Sequence, residues 1–433
     1  MQAPELPPQG QSPASALLAR MRKSQGVRAG AVLSLATLVL NGSAYLYNVA
    51  CIRYLGSRVY GDVAVMLALF ALISLPLGSI QSLLAREVAQ LPSAGSIGTL
   101  LRRSTRIGLV FGVVLFALGA ALVQPIRDLL NVDSTGTVVA GISALPFAVL
   151  AVVFYGFLQG LFRFNGLSLT YCLSGLARPV LVVPALLLGL GATGALLVNT
   201  AASFLAVLVA AIALHELWRT PPVDVAPRVD RPQAAVLLIG SLAFASLTNV
   251  DVLLAAYFLP NDEVGIYAAA ALAGKIVLFL PAAVVTVLLP KAATRAAAGV
   301  ASRRILLASL AVTFAITLLA TTVLALVPES LLVRLFGGDF RASTALLGWF
   351  GLAMTAASLV NVYLSVYFAE RNARFPLLLL GAAFAQIIAV SLWHPNPRSI
   401  VLVTLACFSG VLVVHELFFP YAVTRLSLRH ATR

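Results

Sequence analysis

Three ionisable residues stand where the surrounding chain has almost none: Arg178, Lys275 and Asp251 each interrupt a long run of Leu, Val, Ala, Ile and Phe. Placing one charge at that depth in hydrocarbon costs roughly 2.5–3.5 kcal/mol on insertion scales, so each needs a partner or a ligand. Arg178 has no carboxylate at its depth on a sequence-neighbouring run, which favours a cavity-facing role. Its planar fork can bond two phosphate oxygens at once. Lys275 has two readings: a structural ion pair with Asp251 on the adjacent run, or a second cation facing the substrate. One midplane cation in each half of the chain suits an anionic substrate.

Neutral polar residues add a second kind of chemistry. Asn41, Tyr45 and Asn48 fall at i, i+4 and i+7, on one helical face, and Ser358, Asn361 and Ser365 share the same kind of spacing. They can hydrogen-bond helix to helix, worth about 0.6 kcal/mol on average, or line a wet cavity wall that bonds sugar hydroxyls. Pro76 and Pro281 are expected to kink their helices, as a gate requires. The His215-Glu216 and His415-Glu416 pairs have neither zinc-ligand nor catalytic-dyad spacing and read as interfacial anchors. No phosphate-cradling GxxxxGK[ST] sequence occurs. No catalytic residue, cofactor or metal is expected.

These residues must be positioned by membrane-crossing helices. Of 433 residues, 61% are apolar and 10% charged, and the mean hydropathy is +1.00, values that a soluble domain does not reach. A crossing needs about 20 apolar residues. Windows of that size lie near 29–52, 60–83, 107–123, 138–161, 167–190 and 193–214, then 234–259, 262–288, 305–327, 343–369, 374–393 and 399–420. At 1.5 Å per residue, Arg178 and Lys275 both come roughly 18–20 Å below the outer surface, and Asp251 roughly 12 Å. The net charge of +14 does not mean nucleic acid, because the basic residues flank the apolar runs. Of the 29 Lys and Arg, 21 fall in segments on the same side as the N-terminus and six in the opposite loops. That bias puts both termini in the cytoplasm. Cys51, Cys172 and Cys407 lie inside apolar runs without CxxC spacing.

The chain repeats itself. Arg53 to Gly61 has a counterpart at Tyr257 to Gly265, which pairs Leu55 with Leu259, Gly61 with Gly265 and Ala64 with Ala268. Pro76 and Pro281 come at matching depth, and His-Glu-Leu closes both the sixth and the twelfth span. The expected organisation is a disordered cytoplasmic tail (1–28), a six-helix half (29–214), a cytoplasmic linker (215–233), a second six-helix half (234–420) and a basic tail (421–433). The fold class is all-α integral membrane, with about twelve transmembrane helices. An even number of crossings gives the two repeats parallel orientation around a central cavity, a recurring transporter plan.

The stretch from Asn48 to Ala89 resembles the opening of bacterial polysaccharide transporters, in Arg53-Tyr54-Leu55-Gly56, Tyr60-Gly61 and Arg86-Glu87-Val88-Ala89. The second half repeats the pattern with Asp251, Val264-Gly265-Ile266-Tyr267 and the Lys275 helix. These proteins are similar to O-antigen flippases of the multidrug/oligosaccharidyl-lipid/polysaccharide exporter superfamily. The resemblance implies a multi-pass protein of the bacterial cytoplasmic membrane that translocates an undecaprenyl-pyrophosphate-linked oligosaccharide between leaflets, surrounded by membrane lipid and served by polysaccharide assembly proteins. Arg178 and Lys275 would then offset the pyrophosphate charge, Asn41, Tyr45, Asn48 and Asn361 would meet the sugars, and Asp251 would couple an ion. The rival is a cation-coupled multidrug exporter of the same superfamily, which would favour cavity carboxylates and aromatics over cations. A membrane glycosyltransferase or ligase would need sizeable loops, and these are short.

Overall fold

The computed structural model describes residues 13–223, 231–281 and 303–421. The start of the expected tail, the middle of the 215–233 linker, the inner end of the 262–288 span and nearly all of the basic 421–433 tail lie outside the described residues. Helix α1, Pro13–Gln90, runs for 78 residues and bends at Gly56 (φ 73, ψ 173). The tail expected over 1–28 is therefore helical from Pro13. Its Ala, Leu, Met, Arg and Lys residues are strong helix formers, and Pro at a helix start loses no hydrogen bond.

The turn expected between the first two spans is a single residue. Glycine adopts positive φ without a Cβ penalty, and the chain reverses there. The Tyr60 hydroxyl donates to Asn48 Oδ1 at 3.3 Å although the two are twelve positions apart, a separation of about 18 Å in a straight helix. The second arm of α1 runs through Pro76 with helical backbone.

The following helices are α2 (Ala94–Ala121), the short α3 (Val123–Leu129) and α4 (Thr135–Ile142), then α5 (Leu145–Gly160), α6 (Phe164–Leu187), α7 (Gly191–Ala213) and the one-turn α8 (His215–Trp218). After the linker come α9 (Arg231–Phe258), α10 (Asn261–Phe279), α11 (Arg303–Ala325), the short α12 (Glu329–Phe336) with a 3-10 turn (Gly338–Ser343), and then α13 (Thr344–Ala369), α14 (Arg374–Leu392) and α15 (Pro397–Phe418). Among the described residues, ten stretches are long and apolar enough to cross a bilayer. One of them, Val32–Gln90, holds both arms of α1. Counting the arms separately and adding α10, whose Asp262, Glu263 and Lys275 keep it out of that set, gives the twelve-helix plan.

On α2 only 11% of the most apolar window is buried, and Leu109, Val110, Phe111 and Leu118 point outward. That surface is stable only in lipid. One apolar core runs through both halves, from Tyr47, Val63 and Leu196 to Leu247, Phe350 and Phe408.

The halves meet most tightly at the end away from the described termini. There Gly61 and Gly265, the pair matched by the repeat, face each other. A Cβ on Gly265 would stand 1.9 Å from the Ser57 carbonyl oxygen, and one on Gly61 would stand 3.1 Å from that of Asn261. Asn131 Nδ2 donates to Ala256 O at 2.8 Å, and Asn261 Nδ2 donates to Asn131 O at 3.1 Å. Tyr60 packs edge-on against Phe340. Toward the other end the second arm of α1 is joined to α9, through Ser79 Oγ with Ser241 Oγ at 2.6 Å and with Leu237 O at 3.2 Å.

Candidate functional site

Arg178 occupies the middle of α6, about nine residues and about 14 Å from its end at Leu187. The groups it interacts with lie in the first half. Gly175, one turn earlier, lets α6 approach the first arm of α1 until an added Cβ would stand 3.0 Å from Leu40 Cα. The residues that interact electrostatically with the guanidinium are Tyr155 on α5 and Tyr47 on α1. Tyr47 is fully buried and its hydroxyl donates to Ala195 O at 2.8 Å. Arg178 itself is half-buried, yet its Nε is enclosed and has no hydrogen-bond partner. Buried polar atoms are almost always paired, and an orphan donor on a cation without a carboxylate suits an anionic oxygen.

A run of polar side chains leads from Arg178 toward the end of the molecule that holds the termini. Ser174 lies one turn from Arg178 and within reach of Tyr155. The Tyr155 and Tyr171 rings meet edge to face with centroids 5.0 Å apart. Gln81, on the second arm of α1, lies beside the Tyr171 hydroxyl, and its Nε2 donates to Gln159 Oε1 on α5 at 3.0 Å. Close helix approach builds this contact: a Cβ on Gly156 would come within 2.9 Å of Leu84 Cβ and 3.0 Å of Gln81 O.

Lys275 is the corresponding cation of the second half only in kind: it lies on α10, the repeat counterpart of the second arm of α1 and not of α6, and its bonding differs. Its Nζ donates to Asn249 Oδ1 at 2.8 Å. Asp251 is 2% exposed, and its Oδ2 accepts from the Tyr267 hydroxyl at 2.7 Å. The direct Asp251–Lys275 ion pair open to the sequence is therefore not formed. The two interact electrostatically, but each takes a neutral partner, because Asn249 lies two positions from Asp251, nearer the start of α9. Asp251 Oδ1 is buried without a partner. Gln386 on α14, fully buried, donates to Thr404 Oγ1 on α15 at 2.9 Å, which ties this side of the half together.

The neutral candidates divide. Asn41 is exposed and Tyr45 half-buried, so both keep a free face. Asn48 is committed to structure, donating to Ala44 O at 2.9 Å and accepting from Tyr60. Asn361 is half-buried on α13, whereas its neighbours Ser358 and Ser365 donate to carbonyls one turn back in their own helix, at 2.8 and 2.9 Å. Arg178 and Lys275 are not brought into contact: the partners of each belong to its own half.

Tyr155, Tyr171, Gln81 and Gln159 were not singled out from the sequence. A signal existed, since Tyr155 and Gln159 are at i, i+4 and Tyr171, Ser174 and Arg178 at i, i+3 and i+7. The repeated His-Glu pairs have also diverged. In α8, Glu216 accepts at 2.7 Å from Arg163, the residue before α6, which holds its exposed carboxyl below the usual range. His415 is instead fully buried, stacked on Phe419 and bonded through Nε2 to the Tyr367 hydroxyl at 3.1 Å. Interfacial anchoring fits the first pair, while His415 is a packing centre.

Three solved structures share this architecture. The lipid II flippase MurJ in an inward closed conformation superposes with a TM-score of 0.68 at 14% identity, covering 91% of this chain and 88% of its own. The eukaryotic MATE transporter AtDTX14 gives 0.68 at 14% identity, with 94% and 99% covered. An inward-facing multidrug resistance MATE family transporter of the MOP superfamily gives 0.67 at 16% identity, with 89% and 95% covered. No curated protein matches the sequence. The sequence model of the polysaccharide biosynthesis protein family matches residues 27–294.

Proposed function

This chain belongs to the polysaccharide biosynthesis protein family, and we propose that it carries a polyprenyl-pyrophosphate-linked oligosaccharide across the bacterial cytoplasmic membrane by alternating access. The observation that carries this reading is Arg178: a midplane guanidinium with an enclosed, unpartnered Nε, no carboxylate in contact and a polar surface beside it. Pyrophosphate and sugars cannot cross hydrocarbon unaided, whereas a polyprenyl tail remains in lipid. The head group enters between the halves, Arg178 meets phosphate, and Lys275 adds positive charge from the opposite half. Asn41, Tyr45 and Asn361 offer hydrogen bonds to sugar, while Asn48 supports the turn at Gly56. The tight Gly61–Gly265 seal and the basic residues on the termini side support a state closed on the outer face, with both termini cytoplasmic.

Asp251 supports coupling to a cation or proton, since its buried Oδ1 has room for one more bond. A membrane potential supplies about 2.3 kcal/mol per charge per 100 mV. The same carboxylate, with the MATE-like architecture, favours a second reading as a cation-coupled multidrug exporter, which the experiment below separates. Arg178→Lys keeps the charge and loses the fork, whereas Arg178→Gln loses both. In cells, lipid-linked oligosaccharide should accumulate in the inner leaflet in the order wild type, Lys, Gln, at unchanged protein level. Normal transport by well-expressed Arg178→Gln, or drug resistance lost while oligosaccharide export persists, overturns the proposal.

A further inference from the structure

We propose that Gln81, Gln159, Tyr155 and Tyr171 form a sugar-binding subsite on the termini side of Arg178, which receives the saccharide attached to the phosphate that Arg178 holds. The inference rests on the transport reading above and extends it to the sugar end of the ligand. It begins with chemistry. Each carboxamide has two N–H donors and a carbonyl with two lone pairs, and the Gln81–Gln159 bond uses one donor and one lone pair. The Tyr171 hydroxyl beside Gln81 takes a further site on that amide, which leaves the Gln81 carbonyl and the Gln159 N–H groups with capacity. The pair is held still by its own bond, an arrangement suited to vicinal hydroxyls. The two tyrosines supply ring surface for the apolar face of a pyranose, and hydroxyls at their edge.

Their placement adds to this. All four side chains are half-buried, so each keeps one face open, although they sit on three different helices (the second arm of α1, α5 and α6). Tyr171 lies seven residues from Arg178 along α6, about 10 Å, the space of a pyrophosphate with a sugar ring attached. Gln159 is the penultimate residue of α5, so the subsite opens toward the termini side and the phosphate position lies deeper. Helix packing alone does not require this surface. At Gly160 an added Cβ would come within 2.6 Å of Ala85 O and 2.7 Å of Val88 Cβ, so α5 and α1 are already locked by backbone contact just beside the glutamines.

The test is equilibrium binding to the purified full-length chain in lipid nanodiscs, with two probes: undecaprenyl pyrophosphate, and undecaprenyl pyrophosphate bearing one N-acetylglucosamine. Wild type should bind the sugar-bearing probe about five- to tenfold tighter, the scale of one or two net hydrogen bonds. Gln81→Leu should erase that preference and leave the bare lipid unchanged. Tyr171→Phe, which preserves shape and so guards against misfolding, should reduce the preference about two- to threefold. Arg178→Gln should weaken both probes alike. Equal binding of the two probes by wild type, or variants at Gln81 and Tyr171 that keep the wild-type ratio or weaken both probes equally, overturns the subsite. If Arg178→Gln leaves both probes unaffected while Gln81→Leu still erases the sugar preference, the phosphate reading fails and the sugar subsite stands.

Discussion

Replacing Gly265 by Ala tests whether the seal between the halves depends on backbone contact. In a helix interior, Ala gains about 0.8–1 kcal/mol over Gly. At Gly78 nothing lies within 4 Å of the added Cβ, so Gly78→Ala should realise that gain in full. At Gly61 the Cβ meets Asn261 O at 3.1 Å; a shift of a few tenths of an ångström offsets the gain, and the net change should be near zero. At Gly265 the Cβ would stand 1.9 Å from Ser57 O and 2.6 Å from Ser57 C. Those are backbone atoms beside the Gly56 turn, which cannot rotate away, so the helices must separate. Overpacking of this kind costs about 1–3 kcal/mol, and set against the propensity gain of about 0.8–1 kcal/mol the variant should lose up to about 2 kcal/mol of unfolding free energy in mixed detergent micelles. Native Cys51, fully buried five residues before Gly56, reports the seal itself once Cys172 and Cys407 are replaced by Ala. Its labelling by a membrane-impermeant maleimide should accelerate in Gly265→Ala alone. A Gly265→Ala protein as stable as Gly78→Ala, with unchanged labelling, would refute the packing argument.

Tyr267→Phe removes the hydrogen bond that the Tyr267 hydroxyl donates to Asp251 Oδ2, beside an Oδ1 that already has no partner. The expected loss is about 1–3 kcal/mol in the same unfolding assay, and a variant within error of wild type would show that water or Lys275 replaces the bond. Ser79→Ala breaks the link to Ser241 and Leu237 and should cost only about 0.6 kcal/mol; a loss several times larger would make this contact a principal inter-half joint. The lowered Glu216 carboxyl beside Arg163 contributes stability that is present above the unfolded value of 4.5 and is lost as pH falls through the depressed folded value. The wild-type advantage over Glu216→Gln in melting temperature should therefore be small at pH 7 and vanish once the pH falls below the depressed folded value. A difference independent of pH would place its origin elsewhere than in charge.

Most of the fold is legible in the chain because the membrane imposes a length and a polarity on every crossing. Residues 193–214 need no tertiary information to be read as a span, and α7 covers Gly191–Ala213. The single-residue reversal at Gly56 is not legible in that way, since Arg53-Tyr-Leu-Gly-Ser-Arg reads equally well as a loop. Short amphipathic pieces such as Glu329–Phe336 are hidden for a similar reason: eight residues carry too little periodicity. The repeat identified Gly61 and Gly265 as equivalents, but only the folded chain shows that they press on one another. At the site, Arg178 is conspicuous because a charge in hydrocarbon is costly. Tyr155 and Gln159 are inconspicuous because a neutral amide or phenol costs little and often serves packing alone. The bonding of Lys275 to Asn249, not Asp251, depends on rotamers that spacing does not determine.

The central claim is most directly tested by reconstitution. Proteoliposomes containing only the purified chain and a fluorescently labelled undecaprenyl-pyrophosphate-linked oligosaccharide, loaded in one leaflet, report translocation through quenching by an impermeant reagent on the opposite side. Wild type should expose the labelled sugar to both leaflets, and correctly folded Arg178→Gln should leave it where it was loaded. Failure of wild type to move the lipid under an imposed ion gradient or membrane potential, or equal rates for wild type and Arg178→Gln, would contradict the account.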